Sequence, residues 1–246
     1  MDDDQVQHWQ DHRAAGNTVV LRADRRKLDE TWRRNDWYVG SAAVALVTVG
    51  STNLALTLTG LGRATTFLLL SVLLLILVGV LGLGLFMRRR VRRYRTAGDR
   101  FISVDSAGIT LAGVPTVPWD GMLGVLVSQD PPPQHTSRYR RWVHEMTFRA
   151  GGSRTVMVVG IREPRRYRDA ATGSLRSCVN SSGGRFGMLM VEPDVALDQQ
   201  TMVRLREALQ AGATVAGVPF ETTQDARRVG SATYAMLQGN RLEPAP

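Results

Sequence analysis

Few residues in this chain could carry out chemistry, and they are scattered. The single cysteine, Cys178, excludes a disulfide framework and any multi-cysteine metal site. It sits in a Ser- and Gly-rich stretch with no histidine near it in sequence, which is poor support for a nucleophile. The four histidines, His8, His12, His135 and His144, show no ligand spacing. His144 reads as a core histidine and Trp119 as a core anchor. No Gly-rich phosphate loop, nucleophile elbow, His-Glu-x-x-His or paired-carboxylate arrangement is present. The expectation is therefore a protein that is not an enzyme, with no metal and no cofactor. An enzymatic use of the loop at 162–184 is discounted.

What stands out instead is arginine. The chain carries 31 basic and 22 acidic residues, a net charge of +9, and all but Lys27 of the basic residues are Arg. Residues 1–36 carry −1, residues 37–96 carry +7 with no acid, and residues 97–246 carry +3. Six of the seven central arginines form one run: Arg88, Arg89, Arg90, Arg92, Arg93 and Arg95. A basic total ordinarily raises nucleic acid as a partner. This run closes an apolar stretch, so it points to a membrane surface and anionic lipid, and nucleic acid is not expected. A second patch, Arg162, Arg165, Arg166 and Arg168, is diluted by Glu163 and Asp169 and reads as a solvated loop.

The elements that must place the run are two uncharged stretches, Trp37 to Gly62 and Ala64 to Met87. Each exceeds the roughly 20 residues a helix needs to cross a bilayer. Gly60-Leu61-Gly62-Arg63 is so short that the helices must be antiparallel neighbours, with both flanks on one side. Basic residues crowd those flanks, which by the positive-inside rule places both termini in the cytoplasm. Trp32, Trp37, Tyr38 and Tyr94 suit interfacial anchors. No signal peptide is expected before the first span. Ser41, Ala45, Thr48, Thr52, Ala55 and Thr59 recur at spacings of 4, 3, 4, 3 and 4, a stripe for close helix packing. The stripe suits either the second span of the same chain, the preferred reading, or a homodimer seam. Asn53 stands alone in mid-span, poor support for transport.

Ahead of the spans, Asn17 to Arg22 reads as a strand, and Asp24 caps a helix that can run unbroken into the first span. After them come short β segments. Phe101–Val104 and Ile109–Leu111 flank a tight Asp105–Gly108 turn. Val114 to Trp119 continues the meander, and Gly124–Val127 closes it before Pro131–Pro133. Trp142 to Phe148 alternates and pairs through a glycine turn with Thr155–Ile161. Residues 162–184 resist assignment. Phe186–Val191 is a last strand. Asp198 caps a helix with Met202, Leu205 and Leu209 on one face. Thr222 to Gln238 suits a second helix.

Two tightly joined spans followed by strands and one helix resemble the bacterial pleckstrin-homology-like membrane proteins, the YcxB-like group especially. The resemblance rests on Phe101-Ile-Ser-Val-Asp-Ser-Ala-Gly-Ile-Thr-Leu111 and Val117-Pro-Trp-Asp-Gly-Met-Leu-Gly-Val125. It implies an α+β membrane protein: a transmembrane hairpin plus a cytoplasmic split β-barrel or sheet capped by a C-terminal helix. It implies no defined activity. The acidic, short Asp105–Gly108 loop lacks the basic residues that phosphoinositide binding on a first hairpin needs.

The expected organisation is 1–36 an N-terminal strand and helix; 37–60 and 64–87 the spans; 88–96 the Arg-rich segment; 97–212 the β domain; and 213–246 a C-terminal extension. The expected function is a membrane-tethered protein-interaction or regulatory module. The alternatives are an assembly role through homodimerisation and anionic-lipid binding at the inner leaflet. The expected location is the cytoplasmic membrane, from the two spans and their basic flanks, and the resemblance implies a bacterium; the Arg-to-Lys bias separately suggests a GC-rich genome. The expected partners are the bilayer, a cytoplasmic protein and a second copy of the chain.

Overall fold

The computed structural model describes residues 18–60, 63–98, 100–129, 138–181 and 184–243, without the side chains of 138–141, 143 and 144. The acidic start, the 61–62 turn, Pro131–Pro133, the His144 side chain and the last three residues lie outside it. Contacts divide the chain into two compact units, Met1–Leu28 with Arg93–His135 and Ser153–Pro246, and Asp29–Arg92 with Thr136–Gly152.

The second of these units is built on two long helices, α1 (Arg25–Thr59) and α2 (Ala64–Arg95), each of which begins or ends in the first unit. Asp24 Oδ1 accepts the Arg26 and Lys27 amides and so starts α1 where the sequence placed its cap. Both helices are long and apolar enough to cross a membrane, with mean hydropathy 1.6 and 3.0 in their most apolar windows. They meet closely at Gly84, where a Cβ would lie 2.8 Å from Val39 Cγ2 and 3.0 Å from Tyr38 Cδ1. Beside this point Asn35 is fully buried. Its Nδ2 donates to the Gly84 carbonyl at 2.9 Å and to the Ala150 carbonyl at 2.5 Å. One amide thus ties three segments, and it uses both of its hydrogens. Asn35→Asp would set an oxygen against two carbonyls and bury a charge. A loss of about 3 kcal/mol or more is expected, read as a lowered unfolding midpoint of the detergent-solubilised chain. Unchanged stability would contradict the tie.

The third segment is α3 (Arg138–Arg149), and here the structure corrects the sequence reading: Trp142–Phe148 is helical, not a strand. Alternation over so few residues is also compatible with a helix. Tyr139, Val143, Met146 and Ala150 recur at 4, 3 and 4, and Glu145 pairs with Arg149 one turn on, at 3.0 Å. Met146 and Ala150 pack with Tyr38 and Met87.

The first unit holds two sheets. β1 (Val19–Arg22), β2 (Arg100–Val104), β3 (Gly108–Leu111) and β4 (Val117–Pro118) form an antiparallel sheet in that order. The β2–β3 turn is the expected one. Asp105 Oδ1 accepts the Ala107 and Gly108 amides at 2.9 Å each. Trp119 follows β4 in a short 3-10 turn, Trp119–Gly121, and its Nε1 donates to the Asp105 carbonyl at 3.0 Å.

After that turn the chain leaves the first sheet. β5 (Met122–Gln129) does not close the meander. It lies in a second sheet with β6 (Thr155–Arg162), β7 (Val179–Ser181), β8 (Phe186–Val191) and β9 (Phe220–Thr223), in the order β7-β8-β6-β5-β9. β6 accordingly pairs with β5 and β8 rather than with the 142–148 segment. The stretch 162–184 contains α4 (Pro164–Ala170), a 3-10 turn at Ser174–Cys178, and β7. Nine strands in two sheets are described; eight of them follow the long helices, where the sequence reading placed seven.

Two helices complete this unit. α5 (Gln199–Ala216) begins at Asp198, whose Oδ1 accepts the Thr201 amide; that bond holds the carboxyl below its usual range. α5 touches β1 and β2 of one sheet and β5 and β9 of the other, with Met202, Leu205 and Leu209 buried as expected. Residues beyond 212 are not a mere extension. β9 pairs with β5 in parallel, and α6 (Ala226–Leu237) lies on the outer face of the second sheet. Thr222, expected in a helix, is instead in β9. Arg228 of α6 grips Glu221 of β9 with two bonds, Nε at 2.8 Å and Nη2 at 2.6 Å.

The register explains how α6 seats. Gly124 of β5 faces Gly160 of β6 across the ladder. Above Gly160 lies Met236, and above Gly124 lies Leu242. A Cβ on either glycine would come within 2.6 Å of the Met236 sulfur or 2.4 Å of Leu242 Cβ. The opposite face, with Val125, Val127, Met157, Val159, Ile161, Leu189 and Val191, is also buried. A sheet covered on both sides gives the near-continuous apolar runs seen here.

Candidate functional site

The arginine strip lies on the last two turns of α2. Met87, Val91 and Tyr94 recur at spacings of 4 and 3, and all are buried. Their shared face fixes the helix rotation, so the intervening arginines project away from it. In the second unit, Arg88 is drawn to Asp36 at 2.8 Å and lies 4.9 Å over the Trp32 ring. Arg90 is half-buried, and Arg89 and Arg92 are exposed.

In the first unit, Tyr94 packs edge-on against Phe101, and its Oη accepts the Glu192 amide at 3.1 Å. Arg95 is exposed. Arg93 is held through both its side chain and its backbone. Its Nη1 donates to Ser177 Oγ at 2.8 Å, while Ser174 Oγ donates to the Arg93 carbonyl at 2.7 Å. Two hydroxyls three residues apart on the 3-10 turn therefore hold the end of α2 by both its side chain and its backbone.

This clamp forms one wall of an open groove of about 660 Å³. Arg168 from α4 and Arg176 from the 3-10 turn join Arg93 on its walls, with Asn180 and Ser181 of β7, over Met188 and Leu237. Asp169 approaches Arg176 only to 3.6 Å, with both side chains more than half exposed, so it neutralises the site weakly. Among the described residues, nothing engages the Arg168 guanidinium or the Asn180 amide. The groove thus presents cationic forks and an amide on an apolar floor, an arrangement that can hold an oxyanion.

No protein-family model, curated protein or solved structure matches this chain. Its site is therefore read from its own geometry.

That geometry selects among the residues marked in the sequence. Of the second basic patch, only Arg168 reaches the groove; Arg162, Arg165 and Arg166 point outward around the buried Tyr167. Cys178 is buried beside the groove without lining it. The small-residue stripe of α1 does not pack on α2. Ser41, Thr48, Thr52, Ala55 and Thr59 are exposed and Ala45 is half-buried. Four of its hydroxyls bond back to carbonyls of their own helix. The row that α2 covers is a neighbouring one, through Asn35, Tyr38, Ala42 and Asn53. The preferred sequence reading chose the smaller residues. The larger Tyr38 is admitted because the glycine is on the other helix.

Sequence reasoning missed Arg176, Ser174, Ser177, Asn180 and Asn35. Arg93 and Arg176 are brought together only by the folding of residues 162–184. The one local signal was the Ser174-x-x-Ser177 spacing next to a glycine with φ of 84°.

Proposed function

We propose that this chain is a two-span protein of the cytoplasmic membrane, with both termini in the cytoplasm. In this reading its mixed α/β domain, pleckstrin-homology-like in plan, is a membrane-tethered binding and regulatory module. One observation carries it: only 6% of the most apolar window of either long helix is buried. Leu54, Leu58, Leu68, Leu69 and Leu75 are each at least 60% exposed. Rows of exposed leucine on both helices call for an apolar solvent, and a core helix would have them covered. The arginine strip at the end of α2 supports the orientation. The contact of α5 with both sheets supports the pleckstrin-homology-like plan, which β9 and α6 extend. The outer edges of β7 and β9 give the domain strand edges for peptide recognition.

The test is a reporter fused after Pro246 in a bacterial host, with alkaline extraction of the membranes. The chain is expected to stay in the pellet, with activity only from a cytoplasm-dependent reporter. Activity from a periplasm-dependent reporter overturns the topology.

A second reading, assembly as a homodimer, is favoured by the exposure of the α1 stripe. Cysteines at Ser41, Ala45 or Thr48 in a Cys178→Ser background would crosslink between copies. Absence of a crosslink at every stripe position removes it.

A further inference from the structure

We infer that the groove between the end of α2, the Ser174–Cys178 turn and β7 is a binding site for a phosphate ester, either the headgroup of an anionic lipid or a free phosphorylated compound. This assignment rests on the reading of the domain as a binding module and names its ligand chemistry. Three observations carry it. Arg93, Arg168 and Arg176 line one groove that, among the described residues, no acidic side chain lines. Like charges gathered in this way repel one another, a cost that an anion between them relieves. Arg93 is held in place by Ser174 and Ser177, whereas Arg168 and Asn180 have no partner among the described residues. The site therefore pairs one fixed guanidinium with donors left unspent. The volume, about 660 Å³, suits a phosphorylated headgroup or small metabolite.

Guanidinium forks match phosphate oxygens in pairs, and an apolar floor of Met188 and Leu237 accepts the carbon skeleton of the ester. Arg93 lies six residues beyond Met87, the end of the uncharged run. At 1.5 Å per residue that is about 9 Å along the helix, within the headgroup layer of a spanning α2. The site is separate from the β2–β3 turn, whose Asp105 is spent on its own backbone.

The full chain in neutral detergent, titrated in a calorimeter with dihexanoyl phosphatidic acid and with sn-glycerol 3-phosphate, tests the site. Saturable binding of one molecule per chain is expected. Arg168→Ala with Arg176→Ala should weaken it about tenfold or more. Arg89→Ala with Arg95→Ala, which removes the same charge outside the groove, should weaken it less than about twofold. Tighter binding of the lipid assigns a headgroup, and equal binding assigns a free phosphate ester. Arg168→Lys keeps the charge and loses the fork, and an intermediate affinity is expected if the double variant folds poorly. No saturable binding of either probe, equal losses in the two double variants, or wild-type affinity in Arg168→Lys overturns the assignment. Both probes are read in detergent, so failure here leaves the reporter and extraction results standing, and the reverse also holds.

Discussion

Gly160→Val will unseat α6 from the second sheet. The glycine has room for no Cβ, since one would stand 2.6 Å from Met236 Sδ and 3.0 Å from its Cβ and Cγ. Met236 is fully buried in a cluster with Leu123, Leu126, Val158, Ala232 and Leu242. The three added carbons at this contact either strain the sheet or lift the helix. Lifting the helix gives up most of that cluster. Overpacking alone costs about 1–3 kcal/mol and loss of a buried Met side chain about 2–5 kcal/mol. A fall of about 3 kcal/mol or more is expected in the stability of this unit, measured by thermal unfolding in detergent. Adding Met236→Ala should recover part of it, because the two changes share one contact. Wild-type stability of Gly160→Val would mean that α6 does not dock there.

Trp119→Ala is expected to cost as much, about 3–5 kcal/mol. The indole is 5% exposed. It lies against Gly212 of α5 so closely that a Cβ there would come within 2.4 Å of Cζ2. Its Nε1 bond to the Asp105 carbonyl holds the β2–β3 turn. One side chain thus joins the first sheet, the turn into the second sheet and the helix that touches both. Trp119→Phe keeps much of the packing and loses the bond, so a smaller loss, about 1–2 kcal/mol, is expected. Gly212→Leu should match the alanine variant from the other side of the contact. If Trp119→Ala unfolds at the wild-type midpoint, the two sheets do not depend on this residue.

Much of this fold was legible in the residues, and the limits have physical causes. The long helices, the Asp24 and Asp198 caps, the Asp105 turn and the strand at Phe186–Val191 are specified by near neighbours, so reading along the chain finds them. Trp142–Phe148 was misread because seven residues do not separate a period of 2 from one of 3.6. The division into two sheets was hidden because Trp119–Gly121 re-aims the chain with only three residues. The helix α6 was expected from Thr222 to Gln238, but β9 at its start and its seat on the sheet were hidden, because the paired glycines that receive it look like weaknesses in two strands. At the candidate site, the arginine strip was visible but not which arginine matters. Arg93 is distinguished by serines some 80 residues away, and Arg176 carried no signal of its own. Asn35 looked like one polar residue before an apolar run, and only the three-segment contact gives it a role.

In the proposed topology, α1 and α2 form a membrane hairpin with the sheets on the cytoplasmic side. Cysteine labelling in intact cells tests it most directly. In a Cys178→Ser background, Arg63→Cys marks the hairpin turn, and Asp105→Cys marks the β2–β3 turn. The predicted result is that an impermeant maleimide labels position 63 in intact cells and position 105 only after lysis. Labelling of position 105 in intact cells, with position 63 protected until lysis, would contradict the account.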